Sequence, residues 1–226
     1  MVGIIMVTAM AAVVLLLRLL DGDRRERPQT EPRSEAVSAG GSQSPCDLGS
    51  PQPGDVDGDG TVDLVTVEAK GEWEWLVRLR RANGGVDEAI VRSPCATLLG
   101  TADVNGDGRD EIWFKDDVGN TAHTFNLLAW AGERLRVVVD PGVHNPLVIG
   151  WGFSGGATLW CADGTGDGRT DIIQQSFTRN AEGGIEDEGE VIYELRDDSL
   201  REVFRGRPRT PLPGTSSALV CGSVSW

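Results

Sequence analysis

Short runs in which apolar and polar residues alternate follow one another from Cys46 onward. They lie at 62–68 (VDLVTVE), 73–80 (WEWLVRLR), 86–92, 96–102, 111–115 (EIWFK), 122–130 and 134–139. A further set falls at 157–162, 171–177, 190–195 and 200–204. A period of two over so few residues is the mark of a strand with one covered face. Clusters such as Ala82-Asn-Gly-Gly85 and Ala131-Gly-Glu133 separate the runs and supply turns. No stretch of 46–226 sustains a helical period, so an all-β domain is expected there.

The N-terminal part reads differently. Residues 2–17 (VGIIMVTAMAAVVLLL) carry no charge, and Leu19 and Leu20 prolong the run past Arg18. At about 1.5 Å per residue this length approaches the ~30 Å hydrocarbon core, so 1–20 is expected to be a signal sequence or a transmembrane anchor. The arginines on its C-terminal flank favour a cytoplasmic chain by the positive-inside rule. The cysteines and acidic loops described below favour export, and export is the expectation adopted. Residues 21–45 are rich in charge, Pro, Ser and Gly, and are expected to form a disordered spacer.

One acidic stretch occurs three times within the β region. The copies are Asp55-Val-Asp57-Gly-Asp59-Gly60-Thr61-Val-Asp63-Leu64, Asp103-Val-Asn105-Gly-Asp107-Gly108-Arg109-Asp110-Glu111-Ile112 and Asp163-Gly-Thr165-Gly-Asp167-Gly168-Arg169-Thr-Asp171-Ile172. Each offers oxygens at positions 1, 3, 5 and 9 and a glycine at position 6. That pattern suits a hard cation that takes several oxygens around a tight backbone turn. An EF-hand needs a bidentate Glu at position 12 and flanking helices. Here that position holds Thr66, Phe114 and Gln174, and the flanks are β. The loops begin 48 and then 60 residues apart, and each period reads strand, acidic loop, strand, hairpin, strand, strand. Periods of this size predict units that bury their faces only against neighbours. Ala218-Leu-Val-Cys221 resembles the Thr158-Leu-Trp-Cys161 approach to the third loop, so it reads as the first strand of a fourth unit.

Charge narrows the partners. The formal net charge is −14, residues 1–38 sum to zero, and eleven Asp or Glu lie in the three loops. Such a surface excludes nucleic acid, which demands a basic footprint. The four cysteines, Cys46, Cys95, Cys161 and Cys221, form no CxxC pair. In an exported chain an even count reads as two disulfides.

The D-x-[DN]-x-D-G-x-x-D-[LI] loop between the first strands of repeated four-stranded units resembles the FG-GAP/VCBS repeat, the blade of integrin-α-like β-propellers. The resemblance covers about 46–226. It implies tandem four-stranded antiparallel blades, three plus a terminal strand, and up to three structural Ca²⁺ ions. Three units fall short of the full ring usual in that family, so an open array or a homo-oligomer completing it is implied. Implied ligands in loop 1 are Asp55, Asp57, Asp59 and Asp63 with the Thr61 carbonyl. In loop 2 they are Asp103, Asn105, Asp107 and Glu111, or its neighbour Asp110, with position 7 at Arg109. In loop 3 they are Asp163, Asp167 and Asp171, with Thr165 in the place of a carboxylate or amide and position 7 at Arg169. Loop 1, with the most carboxylates, is expected to bind tightest. Similar sequence contexts pair Cys46 with Cys95 and Cys161 with Cys221.

Remaining candidates are weaker. His123 falls within a strand and His144 in an isolated loop, so neither is argued as a general base. Gly152-Phe-Ser154-Gly-Gly156 satisfies the letters of a nucleophile elbow without its strand–turn–helix context. Trp73 and Trp75 share one face by the period of two and suggest packing or a stacking surface. Glu186-Asp-Glu188 reads as a solvated hairpin turn. The expected function is noncatalytic binding or adhesion to an extracellular protein or glycan by a membrane-anchored or secreted module. The alternative is a carbohydrate-active enzyme, or its accessory, using residues 141–156.

Overall fold

The computed structural model describes residues 46–116, 122–138, 147–152, 154–209 and 219–225. The expected anchor, the spacer and His144 lie outside them. Strands β1 (Gln52–Gly54), β2 (Asp63–Ala69), β3 (Glu74–Arg80) and β4 (Val86–Arg92) form an antiparallel meander. The pattern recurs in β5 (Thr97–Ala102), β6 (Glu111–Lys115), β7 (Ala122–Ala131) and β8 (Arg134–Val137). After β9 (Leu147–Gly152) it recurs in β10 (Gly155–Ala162), β11 (Asp171–Arg179), β12 (Ile185–Arg196) and β13 (Ser199–Gly206). Two short strands follow, β14 (Leu219–Cys221) and β15 (Val224–Ser225). The described residues contain no helix, and hence none long and apolar enough to cross a membrane.

The three units are not three separate sheets. The first is a four-stranded sheet, but β9 pairs with both β7 and β10 and fuses the second and third units into one of eleven strands. The sequence pattern missed β9 because Leu147-Val-Ile-Gly-Trp-Gly152 is an apolar run broken by glycine, with no alternation. The repeat places a strand ahead of loop 1, but Gln52-Pro-Gly54 reads as a turn, so the alternating runs do not locate β1. Among the described residues the sheets close into neither a barrel nor a ring.

β6 explains how the units hold together. Four of its five residues are buried, because both of its faces are covered. Ile112 and Phe114 pack into a core with Val65, Trp75, Val77 and Leu79 of the first unit, whereas Trp113 joins a second core with Phe125, Leu127, Ile172 and Tyr193. Each such fully buried large side chain stabilises the fold by about 1.5–3 kcal/mol. The other face of the first unit carries a charged ladder instead. Arg78 pairs with Glu68 at 2.6 Å and Glu88 at 2.9 Å, and Arg92 with Glu74 at 3.1 Å.

The terminal strand does not begin a fourth unit. β14 lies parallel to β10, with Leu159 opposite Leu219 and Trp160 opposite Val220. Cys161 and Cys221 stand at disulfide distance, with Cα atoms 4.7 Å apart, and Cys46 and Cys95 do so at 5.7 Å. The Ser223 hydroxyl donates to the Thr101 carbonyl at 2.7 Å, and the Thr101 hydroxyl to the Pro53 carbonyl at 2.6 Å. This line ties the C-terminal segment to β5 and β5 to β1. Gly54 is required for the approach, since a Cβ there would come within 2.3 Å of Thr101 Oγ1.

Candidate metal centres

The three acidic loops share one backbone. In each, the glycines at positions 4 and 6 adopt the left-handed conformation: Gly58 and Gly60 at φ 75° and 82°, Gly106 and Gly108 at 75° and 84°, Gly166 and Gly168 at 81° and 84°. The sequence pattern singled out position 6 alone. Position 4 is needed equally, because a side chain is strained there too.

The carboxylates organise that backbone in the same way. Asp55, Asp103 and Asp163 each accept the N–H of the glycine at position 6, at 2.9, 3.0 and 3.0 Å. Asp59, Asp107 and Asp167 each accept the N–H at position 7, from Thr61, Arg109 and Arg169, at 2.9 Å. The carboxylates of Asp63, Glu111 and Asp171 turn back to the N–H at position 2, from Val56, Val104 and Gly164, at 3.2, 2.9 and 3.0 Å. Each of those three residues is only 2% exposed. Glu111, not Asp110, therefore holds the ninth position of loop 2. In loop 3, Thr165 directs its hydroxyl to Asp171 at 3.1 Å.

Burial is costly for these carboxylates. It raises the pKa of Asp63, with a further rise from the neighbouring Asp57 charge, and it raises that of Asp171. Glu111 is pushed up to about 8, first by burial and then by the charges of Asp107, Asp103 and Asp110. Deprotonated, each of these groups would be favoured by a nearby positive charge.

Loop 1 differs from the others in one respect. Asp103 Oδ1 accepts the N–H of Gly106 at 2.7 Å and of Asp107 at 3.2 Å, and Asp163 Oδ1 likewise takes Gly166 at 2.6 Å and Asp167 at 3.1 Å. Asp55 Oδ1 is buried with no hydrogen-bond partner. The position-3 side chains Asp57 and Asn105 accept the position-5 N–H alike, from Asp59 at 3.2 Å and from Asp107 at 2.9 Å. Carboxylate oxygens of Asp55, Asp57 and Asp63 lie within 4.8 Å of one another. A triad of carboxylates, one of them with an orphaned buried oxygen, could hold a hard divalent cation.

Other segments complete loop 1, and no local pattern in the chain foreshadows them. The Ala82 N–H donates to Asp63 Oδ1 at 3.0 Å, which brings the β3–β4 turn onto the loop. Arg81 Nη1 lies 3.6 Å from Asp57 Oδ2, and its guanidinium sits 5.2 Å from the Trp130 ring centroid. Asp110 N donates to the Asp55 carbonyl at 2.8 Å, and the Asp55 N–H donates to Asp110 Oδ2 at 2.9 Å.

A cleft of about 510 Å³ separates loop 2 from the β12–β13 turn, with Asn105, Asp107, Arg169 and Arg196 among its walls. Glu194 holds both arginines, Arg196 at 2.9 Å and Arg169 at 3.7 Å. The other sequence candidates are scattered. Trp75 is core, its indole N–H donating to the Ser93 carbonyl at 2.8 Å, but Trp73 precedes β3 and is exposed. Ser154 occupies an exposed turn followed by β10 rather than a helix, and its carbonyl accepts the Arg179 N–H at 3.0 Å. Glu186, Asp187 and Glu188 belong to β12, since the preceding turn closes between Asn180 and Gly184. His123 is half-buried within β7. Comparison with known proteins finds no matching protein family, no matching curated protein and no matching solved structure.

Proposed function

We propose that this chain is a calcium-binding β-repeat protein of propeller-like, FG-GAP/VCBS-like architecture, with Ca²⁺ in a structural role. It is exported and tethered to or released from the membrane through residues 2–20. The β region serves as a noncatalytic binding module for an extracellular protein or glycan. The metal reading is carried by the Asp55 carboxylate, whose Oδ1 is buried without a partner and which lies within 4.8 Å of those of Asp57 and Asp63. The threefold copy of the loop backbone supports extending it to loops 2 and 3.

In loop 1, Asp55, Asp57 and Asp63 would hold the ion, with Asp59 and the Thr61 carbonyl at the rim. Asp103, Asn105, Asp107 and Glu111 would serve loop 2, and Asp163, Thr165, Asp167 and Asp171 loop 3. When bound, the ion neutralises carboxylates that repel one another, so that binding and folding are linked. Two cysteine pairs at disulfide distance support an oxidising compartment.

Thermal melts of the full chain in EDTA and in millimolar calcium test the metal reading. The midpoint is expected to rise with calcium, and a flat response sinks it. Calcium-dependent retention on an extracellular glycan or protein array tests the binding role.

A further inference from the structure

Loop 1 is clamped from outside its own sequence, and the clamp comes from loop 2. Strand alternation sends neighbouring side chains to opposite sides. Glu111 turns inward to Val104, so Asp110 turns the other way, onto the first unit. There it satisfies both backbone polar groups of Asp55, whose N–H donates to Asp110 Oδ2 at 2.9 Å and whose carbonyl accepts the Asp110 N–H at 2.8 Å. Arg109 adds a second contact. Its stem covers Gly58, where a Cβ would lie 2.7 Å from Arg109 Cγ, and its guanidinium donates to the Trp130 carbonyl at 3.2 Å.

We infer that Asp110 is a positioning residue that the second unit lends to the calcium site of the first, so that the affinity of loop 1 depends on loop 2. The inference rests on the calcium reading above. Asp55 is the position at issue, because it supplies the orphaned oxygen and its backbone is fixed by Asp110 rather than by its own loop. Nothing equivalent is encoded at the next junction, where loop 3 carries Thr170 in place of Asp110. Loop 1 itself has Val62 there, 67% exposed. Among the described residues the coupling therefore runs between loops 1 and 2.

Hydrogen–deuterium exchange of the full chain across a calcium titration reads peptides covering 55–63 and 103–111 separately. Asp110→Ala is expected to raise the calcium midpoint of loop 1 about tenfold, the effect of losing one hydrogen bond to a charged acceptor. The midpoint of loop 2 is expected to shift less, since Asp110 also faces Asp103 and acts on Glu111 through its charge. Asp110→Asn keeps an oxygen for the Asp55 N–H and restores most of the loop 1 affinity. If Asp110→Ala does not fold, Arg109→Ala reads the same clamp through a smaller shift confined to loop 1. An unchanged loop 1 midpoint overturns the inference. So does an equal loss in both loops, which would make Asp110 a ligand of loop 2. Calcium protection missing from the unaltered chain would instead bring down the calcium reading itself.

Discussion

The buried Glu111 carboxylate accepts the Val104 N–H at 2.9 Å, closing the base of loop 2 with a group whose pKa is pushed from 4.5 up to about 8. Burial is the main cause, with Asp107, Asp103 and Asp110 adding to it. Between those two values the metal-free folded chain keeps a proton that the unfolded chain has released. The resulting stabilisation is complete below about pH 4.5 and is lost as pH rises through about 8. Asp63, Asp171 and Asp110, also raised, act in the same sense from a lower starting point. Melting temperatures in EDTA should therefore fall across this window, and Glu111→Gln should flatten the fall. Saturating calcium should reverse it, because the metal takes only the deprotonated carboxylate. A pH-independent melt in EDTA would contradict this account of Glu111.

The two left-handed glycines of loop 1 make separable predictions. Gly60 has φ 82° and open space around it, so Gly60→Ala should cost only the backbone strain, about 1–2 kcal/mol. Gly58→Ala should cost more, since its Cβ also meets Arg109. In an Arg109→Ala background the two costs should converge, by a coupling of at least about 0.5 kcal/mol. Denaturant unfolding of the single and double variants checks this. Equal costs in the unaltered background would mean that Arg109 yields freely.

The β class, the repeat and the acidic loops were legible because each depends on local order: alternation, spacing and turn glycines. The cysteine pairing followed from matching contexts along the chain. What escaped was carried by contacts between distant residues. Asp110 is indistinguishable in sequence from a ninth-position ligand until the strand direction of Glu111 is known. Arg81 looks like any hairpin arginine until the β3–β4 turn is seen to fold onto Asp57. Two strands, β1 and β9, hold proline or glycine where propensity argues against a strand, and tertiary pairing overrides it.

The Cys161–Cys221 bridge should matter most for the C-terminal segment. It spans 60 residues and fastens β14 to β10. Replacing both cysteines by serine should destabilise the domain by about 2–4 kcal/mol. Amide exchange should then accelerate first in β14 and β15, ahead of the rest of the sheet. Peptide mapping without reduction should recover Cys46 with Cys95 and Cys161 with Cys221. Any other pairing would displace the terminal strand from its place beside β10.

Arg81 sets the electrostatics of loop 1. Its guanidinium lies 3.6 Å from Asp57 and 3.2 Å from Asp87, held against Trp130, so it partly offsets the acidic triad before any metal arrives. The same charge repels a cation that shares Asp57. A guanidinium and a divalent cation about 6–8 Å apart at an effective dielectric near 20 repel by about 4–6 kcal/mol, of which solvent and salt screening leave a small part at this half-exposed site. Arg81→Met keeps the stem and removes the charge. It should lower the metal-free melting temperature yet tighten calcium binding at loop 1, by about five- to tenfold at low salt. Arg81→Lys should leave the affinity near that of the unaltered chain. Raising the salt concentration should draw the Arg81→Met variant and the unaltered chain together, because screening erases the repulsion. Calorimetric titration at two ionic strengths gives the answer. Weaker calcium binding in Arg81→Met would show that Arg81 orders Asp57 for the ion rather than competing with it.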